Sequence, residues 1–286
     1  MNEMYIGQTV CGRFQIVRSL GRAGFYDNFV AVAKNHDKEY TLKLFDKNRN
    51  ENVPPAVRER IFEEFTMLRS LNHPAIPRVL DIVEAADQIW IIMERVEGEN
   101  LETVLARSGQ IPEETVIDWA EQLCDVLGYL HSRIPPYIHR DICPQNVMLR
   151  CDGALMLVDF GIMMQYDPHN KYDSNVVFRR GYAAPEQFCG ASEPRSDIYA
   201  LGVTMHQMVT AMDPMKPPYE LLPIRQLNSN VSEKLEQIIH RCIQRNPNDR
   251  FQSAEELMAA LQGGPVYPNE RKGLFGRLFG GRKSKS

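Results

Sequence analysis

The sequence predicts an α+β fold with two lobes: a small antiparallel β-sheet with one main helix, followed by a larger and mostly helical lobe. Three features of the chain predict this. Short segments before residue 94 alternate apolar and polar residues, which is typical of strands. One segment among them repeats its apolar residues at helical spacing. After residue 98 helical spacing predominates, so the second lobe is expected to consist mainly of helices.

Five segments of the first lobe are predicted strands. Turn residues separate them, which favours an antiparallel meander. The segments are residues 14–20, 28–34, 40–45, 79–84 and 89–94. The main helix is predicted between the third and fourth strands, where apolar residues from Val57 to Leu71 share one face. Pro74 ends that pattern because proline cannot continue a helix.

Three segments of the second lobe predict helices. Residues 112–131 place apolar side chains on one stripe, and Pro112 suits the first turn. Residues 197–209 are apolar nearly all round, which is typical of a buried central helix. Residues 253–261 begin with a capping box formed by Ser253 and Glu256.

The distribution of charge excludes one class of function. The chain has a formal net charge of −4, but the segment after residue 262 has six basic residues and one glutamate, a net charge of +5. The rest of the chain therefore carries −9. An acidic body argues against a nucleic-acid-binding protein, since phosphate backbones require a basic face.

The cysteines and the hydropathy pattern indicate a cellular compartment. No CxxC pair and no Cys/His pattern with zinc spacing occurs, so we expect free thiols in a reducing cytoplasm. The N-terminal residues lack the regions of a secretion signal, and no apolar run reaches the roughly 18 to 20 residues that cross a bilayer. The sequence therefore predicts a cytoplasmic protein, unless its tail holds it at a membrane surface.

Two motifs in a fixed order carry the candidate chemistry. They are HRDICPQN at residues 139–146 and DFG at residues 159–161, joined by a short hairpin. Together they resemble the catalytic and metal loops of eukaryotic-type protein kinases. The resemblance implies ATP and Mg²⁺ (or Mn²⁺) as cofactors. By that match Asp141 would accept the proton of a substrate hydroxyl, and Asn146 and Asp159 would bind the metal ion.

The resemblance extends into the first lobe. Lys43 lies where the family keeps its strand lysine, and Glu64 lies on the helix that follows. The resemblance implies that these two side chains pair and hold Lys43 against the α- and β-phosphates. Read without the resemblance, a strand lysine and a helix glutamate are usually solvated surface charges.

The segment IIMERVEG at residues 91–98 resembles the hinge between the two lobes of a kinase. Met93 would then lie behind the adenine ring, and the backbone of Glu94 and Val96 would supply its hydrogen bonds. Read without the resemblance, Met93 is an ordinary core residue.

Residues after the metal loop identify the group of kinases more narrowly. The segments GYAAPEQF at 181–188 and SDIYALG at 196–202 resemble those of bacterial serine/threonine kinases. Asp197 matches the acidic residue that begins the buried helix. Arg250 matches the partner of Glu186, which implies a structural ion pair. These features distinguish protein kinases from small-molecule kinases that share the HxDxxxxN pattern.

The glycine-rich loop departs from the family pattern. It keeps Gly21 and Gly24, which we assign to nucleotide binding, although a register shifted by one residue remains open. Non-glycine residues take two glycine positions and an asparagine takes a valine position, at Ala23, Tyr26 and Asn28. Since glycine lets the backbone approach phosphates, we expect these changes to loosen the nucleotide cover and weaken ATP affinity.

Two further departures fall at the catalytic acid. Cys143 replaces a lysine of the catalytic loop, and Arg179 replaces a threonine that normally precedes the GY pair. By analogy with the removal of one transition-state donor, these losses cost about 10²- to 10³-fold in rate. Arg179 or Arg180 is a candidate to restore the positive charge. Cys143 itself is either a redox-sensitive thiolate or a small uncharged filler.

The activation segment from Ile162 to Arg180 contains no threonine. Ser174 is therefore the candidate phosphorylation site, with Arg140 as the clamp for its phosphate; the alternative is a solvated loop serine.

The tail of residues 271–286 has two interpretations. Six basic residues and the apolar set Leu274, Phe275, Leu278 and Phe279 favour a short amphipathic element that docks on anionic lipid or in a partner groove. Four glycines in the same segment favour a disordered tail.

The sequence predicts one kinase domain over residues 11–262, with a first lobe at 11–94, a hinge at 94–98 and a second lobe at 99–262. Residues 263–286 form the basic tail. The predicted function is transfer of the ATP γ-phosphoryl group to serine and threonine hydroxyls of protein substrates, with self-association as a further expectation. The alternative is a pseudokinase that binds nucleotide as a scaffold or regulator.

Overall fold

The computed structural model describes residues 2–23, 25–35, 37–51, 65–169 and 178–267. Gly24, Glu64, Ser174 and the tail at 271–286 lie outside these residues, as does most of the predicted main helix. The described residues form the two lobes that the sequence predicts, with a small antiparallel sheet first and a mostly helical lobe after it.

The first lobe is built on one six-stranded antiparallel sheet. Its strands are β1 (Thr9–Val10), β2 (Phe14–Ala23), β3 (Tyr26–Ala33), β4 (Glu39–Asp46), β5 (Val79–Ala85) and β6 (Gln88–Glu94), in the order β1-β2-β3-β4-β6-β5. Helix α1, described over residues 65–70, lies between β4 and β5 in the chain. The five predicted strands are confirmed as β2 to β6, but the count was wrong by one. Strand β1 has two residues, too few to show an alternating pattern.

Alternation along β4 assigns its side chains to two different cores. Leu42 and Leu44 are fully buried in one apolar cluster of the first lobe. Phe45 packs into the other cluster, which continues into the second lobe and includes Phe65 of α1. Because successive strand residues point to opposite faces, Lys43 shares the face of Phe45, toward the second lobe.

The second lobe contains six helices among the described residues. They are α2 (Leu101–Ser108), α3 (Glu113–His131), α4 (Pro194–Thr210), α5 (Ile224–Leu227), α6 (Glu233–Cys242) and α7 (Ala254–Leu261). The three predicted helices are confirmed as α3, α4 and α7, and Ser253 caps α7 by accepting the N–H of Glu256 at 3.2 Å. Pro112 is the N-cap of α3, not a residue of its first turn. None of the helices in the described ranges has the length and apolarity to cross a membrane.

Short strands of the second lobe carry the site. They are β7 (Glu99–Asn100), β8 (Tyr137–Ile138), β9 (Val147–Leu149), β10 (Leu155–Leu157) and β11 (Met164–Gln165), paired as β10-β9-β7 and β11-β8. Gly98 joins the hinge to this sheet with φ of +149°, and a Cβ there would lie 2.1 Å from the Leu149 carbonyl oxygen. Only glycine allows the hinge to approach β9 this closely.

Candidate active site

One buried carboxylate holds the catalytic loop in place. Asp197, in the first turn of α4, is fully buried and accepts the backbone N–H groups of His139 at 2.9 Å and Arg140 at 2.8 Å. It also contacts the ring of His131 on α3 at 2.9 Å. The predicted acidic residue therefore joins α3, α4 and the start of the HRD motif.

Asp141 and Asn146 meet at the end of this loop. The Asn146 amide donates both of its N–H groups to Asp141, to Oδ2 at 2.8 Å and to the carbonyl oxygen at 2.9 Å. With both donors used, the amide oxygen of Asn146 is directed away from Asp141 and is available to a ligand. Asn146 is 3% exposed, so this orientation is fixed by its surroundings.

Arg179 lies directly on Asp141. Its Nε donates to Asp141 Oδ1 at 2.7 Å and its Nη2 donates to Oδ2 at 2.9 Å, which is a bidentate pair. Its Nη1 donates to the side-chain oxygen of Gln145 at 2.6 Å. The hydrogen bond to Asp141 raises the pKa of Arg179 further above its usual value, so the guanidinium is charged at every relevant pH.

Cys143 lies beside this pair but carries no charge. The side chain is 1% exposed, and burial raises the pKa of its thiol to about 12. A thiol with that pKa is protonated at neutral pH, which contradicts the thiolate interpretation. Cys143 is a packing residue that contacts Tyr182 and Val203.

Lys43 faces the DFG aspartate across the cleft. Its Nζ lies 3.9 Å from Asp159 Oδ1, and the two side chains are 17% and 48% exposed. Lys43 Nζ also lies 5.5 Å from the ring centre of Tyr26 and 6.0 Å from that of Phe65. The predicted partner Glu64 lies outside the described residues, so its pairing with Lys43 stays a prediction.

A cleft of about 450 Å³ opens between the lobes at this point. Lys43 and Asp159 line one part of it, and the predicted hinge residues Met93, Glu94 and Val96 line another. The N–H of Glu94 donates to the Arg78 carbonyl at 2.9 Å, so this backbone donor already has an acceptor within the protein. The cleft is within the usual range of a small-molecule site.

Comparison with known proteins identifies this arrangement. Residues 14–261 match the family model of the protein kinase domain. This chain belongs to the protein kinase domain family. This chain is 31% identical over 278 residues to the serine/threonine-protein kinase PknA of Nostoc, covering 91% of this chain and 49% of that protein.

Two other relatives carry similar names. The serine/threonine-protein kinase PrkC of Bacillus subtilis is 28% identical over 275 residues, covering 91% of this chain and 41% of PrkC. The serine/threonine-protein kinase C of Synechocystis is 30% identical over 282 residues, covering 91% of this chain and 52% of that protein. The chain therefore spans about half or less of the length of these curated relatives.

The glycine-rich loop of the kinase domain is the tip of the β2–β3 hairpin. Gly21 has φ of +92°, a conformation that favours glycine. Tyr26 is 8% exposed and packs its ring edge-on against Phe45 and Phe65. The ring that replaces a glycine therefore belongs to the apolar core beside Lys43.

Polar side chains also tie this tip to the turn after β4. Asn50 donates to the Phe25 carbonyl at 3.2 Å and accepts from Arg22 at 2.7 Å. Arg49 pairs with the buried Asp27. These contacts restrain both sides of the loop, and the expected loosening of the nucleotide cover stays a prediction.

Glu186 and Arg250 form the expected ion pair of the kinase domain. The two Arg250 Nη atoms donate to the Glu186 carboxylate at 2.7 and 2.9 Å, and the Arg250 side chain is fully buried. Burial by itself would raise the pKa of Glu186. Hydrogen bonds from Arg250 and Ser196 outweigh burial and hold this pKa below its usual value.

Sequence reasoning named Arg179 or Arg180 as the candidate to restore the lost charge, but it did not predict the contacts that Arg179 makes with Asp141 and Gln145. Asp141 and Gln145 lie 38 and 34 residues before it, so no periodic pattern connects them. One signal was available in the sequence: the catalytic loop has lost a cation at position 143, and the activation segment has gained one at position 179. Arg180 is exposed, and among the described contacts none joins it to Asp141.

Proposed function

We propose that this chain is a protein kinase that transfers the γ-phosphoryl group of ATP to serine or threonine hydroxyls. One observation carries the proposal: Lys43 and Asp159 face each other at 3.9 Å in a 450 Å³ cleft. Phosphoryl transfer needs positioned phosphates, a metal ion and an oriented acceptor, and these residues supply those needs. The names of the relatives favour serine and threonine as acceptors.

Asp141 is the proposed base for the acceptor hydroxyl. Asn146 and Asp159 are the proposed ligands of Mg²⁺ or Mn²⁺. The oxygen of Asn146 fits this role because both of its N–H groups bind Asp141. Among the described residues no group of three or more His, Cys, Asp or Glu side chains converges. Two oxygen ligands suffice here, because magnesium in kinase sites completes its coordination with phosphate oxygens and water.

Nucleotide binding is the proposed role of the rest of the cleft. Lys43 would bind the α- and β-phosphates, and a metal ion held by Asn146 and Asp159 would neutralise part of the phosphate charge. The adenine would lie against Met93 and hydrogen-bond to the backbone of Glu94 and Val96. Roles for Gly21 and Gly24 above the phosphates, and for Glu64 as the partner of Lys43, belong to the same proposal.

Incubation with labelled ATP, Mg²⁺ and casein tests the function. We expect wild type to label the acceptor on serine or threonine. Asp141→Asn and Asp159→Asn should each lower the rate by at least about 10²-fold, since each removes a group that acts directly in the transfer. The matched control is Asp118→Asn, because Asp118 is exposed on α3; it should retain the wild-type rate.

The pseudokinase alternative predicts a different result. Such a protein would bind Mg·ATP in calorimetry, but neither casein nor the protein itself would be labelled. That outcome would overturn the proposed transfer activity. A small-molecule kinase would consume ATP with a small alcohol as acceptor and label no protein.

The tail at 271–286 is proposed as a docking element for anionic membranes, with a partner protein as the other outcome. Six basic residues and four large apolar residues support this. Full chain and a variant that ends at residue 270 would be co-sedimented with phosphatidylserine vesicles. Loss of binding in the shorter variant supports membrane docking, and equal binding contradicts it.

A further inference from the structure

The position of Arg179 points to a role in the proposed reaction. A guanidinium group has five N–H donors. Partners in the described part of the chain use three of them, two on Asp141 and one on Gln145. The other two N–H groups of Arg179, one on each Nη atom, have no acceptor among the described residues.

Asp141 is oriented by this contact but not saturated. A carboxylate offers about four lone-pair sites. Oδ2 accepts from Arg179 and from Asn146, whereas Oδ1 accepts only from Arg179 among the described residues. Oδ1 thus retains a site for the proton of an acceptor hydroxyl.

The charge of this region depends on the same side chain. Cys143 takes the place of a lysine of the catalytic loop. It is a buried neutral thiol, because burial raises its pKa to about 12. Lys43 lies on the other side of the cleft, beside Asp159. In the described ranges, Arg179 is the cation that contacts Asp141.

Arg179 is also held firmly enough to act at a fixed place. Its carbonyl oxygen accepts the N–H groups of Tyr182 at 3.3 Å and Ala183 at 3.1 Å. The intervening Gly181 has φ of +88°, and a Cβ there would lie 3.1 Å from Pro214. The hydroxyl of Tyr182 donates to Gln207 on α4. A tight turn packed on α4 therefore sets the position of the guanidinium.

We propose that Arg179 is a catalytic residue that donates hydrogen bonds to the phosphoryl group during transfer. The inference rests on the proposed kinase function. In the transfer, the acceptor oxygen bonds to the γ-phosphorus while the bond to the bridging oxygen breaks. The hydroxyl proton passes to Oδ1 of Asp141, and ADP leaves with the electron pair. Charge spreads over the equatorial oxygens of the phosphoryl group, where the two N–H groups of Arg179 bind.

Turnover kinetics test this role. We expect Arg179→Ala to lower kcat by about 10²- to 10³-fold, the usual cost of one transition-state donor, with a much smaller change in KM for ATP. Arg180→Ala is the matched control, and it should keep the wild-type kcat. Guanidinium chloride at millimolar concentration should restore part of the activity of Arg179→Ala but not of Asp141→Asn.

Relocation of the charge gives a second test. The double variant Cys143→Lys/Arg179→Thr returns a cation to the catalytic loop, so its kcat should exceed that of Arg179→Thr alone. If Arg179 instead inhibits the enzyme by covering Asp141, Arg179→Ala will have an unchanged or higher kcat. An unchanged or a higher kcat of Arg179→Ala overturns the inference and leaves the proposed function intact.

Binding of a transition-state mimic gives a readout that needs no turnover. Mg·ADP with aluminium fluoride forms a planar charged group at the γ-position. Calorimetry should show that Arg179→Ala weakens binding of this mixture at least tenfold, with little change for Mg·ADP alone. Equal weakening of both, or of neither, overturns the inference. Absence of any labelled acceptor with wild type overturns the proposed function and the inference with it, whereas the outcomes for Arg179→Ala above overturn the inference alone.

Discussion

Two long-range bidentate arginine–carboxylate pairs, Arg179 with Asp141 and Arg250 with Glu186, hold the segment after residue 178, and they differ in how many of the arginine donors the protein uses. Arg250 donates all five of its N–H groups to described partners, which are the Glu186 carboxylate and the carbonyls of Gln244, Arg195 and Arg245. Arg179 donates three of its five N–H groups to described partners. Its side chain is 27% exposed, whereas that of Arg250 is fully buried. We call the Arg250–Glu186 pair closed because every donor of its arginine has an acceptor in the protein, and the Arg179–Asp141 pair open because two donors do not. A closed pair maintains structure, whereas an open pair can also bind a ligand.

The largest expected effect is on the closed pair. Arg250→Met leaves the Glu186 carboxylate, which is 12% exposed, without its partner. We expect the free energy of unfolding in urea to fall by about 3–5 kcal/mol, because an uncompensated buried charge remains. Glu186→Gln/Arg250→Met should lose less than Arg250→Met, since the double variant removes that charge. A loss below about 1 kcal/mol in Arg250→Met would contradict the comparison.

The pH dependence of stability sharpens the same comparison. The pKa of Glu186 is lower in the folded than in the unfolded state, so its contribution to stability is present above its unfolded pKa of about 4.3. That contribution is lost as the pH falls through the folded pKa. The stability difference between wild type and Glu186→Gln should therefore be largest near neutral pH and narrow in acid. A difference that stays constant between pH 7 and pH 3 would contradict this assignment.

Loss of the open pair should cost less stability. Asp141 is as little exposed (13%) as Glu186, but the Arg179 side chain that covers it is 27% exposed and Asn146 still donates to Asp141 in its absence. Water can therefore replace the guanidinium, and we expect Arg179→Met to lose about 1–3 kcal/mol in urea unfolding. The same variant should lose most of its turnover. A stability loss as large as that of Arg250→Met would mean that Arg179 is mainly a structural residue.

The smallest effect concerns the neutral thiol beside the open pair. Because burial raises the pKa of Cys143 to about 12, iodoacetamide at pH 8 should modify it at least roughly tenfold more slowly than the exposed Cys151 and Cys189. Mass spectrometry of digests over time measures these rates. Rapid modification of Cys143 in the folded protein would indicate a thiolate and a different charge balance at Asp141.

The parts of the fold that were predicted have signals within a short stretch of chain. The alternation in β4, the apolar stripe of α3 and the buried character of α4 depend only on near neighbours. Strand β1 and helix α5 are too short for a period to be visible. Helix α6 was missed although it is a ten-residue helix with an N-cap at Ser232.

The site shows the same division. The positions of Asp141, Asn146 and Asp159 follow from motifs in which the spacing itself sets the geometry. The burial of Tyr26 and the contact of Arg179 with Asp141 depend on tertiary packing between distant segments. The departures from the family pattern marked where to look, but which way each new side chain points could be learned only from the three-dimensional arrangement.

Asp197 has a practical consequence for mutagenesis of this domain. Its carboxylate is the common acceptor for two amides of the HRD motif and for a histidine on α3. We expect a substitution there to abolish the proposed activity without removing any group assigned to contact a nucleotide or an acceptor. In a saturation screen scored by growth or labelling, position 197 will be indistinguishable from position 141. Only a parallel measurement of the amount of folded protein will distinguish the structural residue Asp197 from the proposed base Asp141.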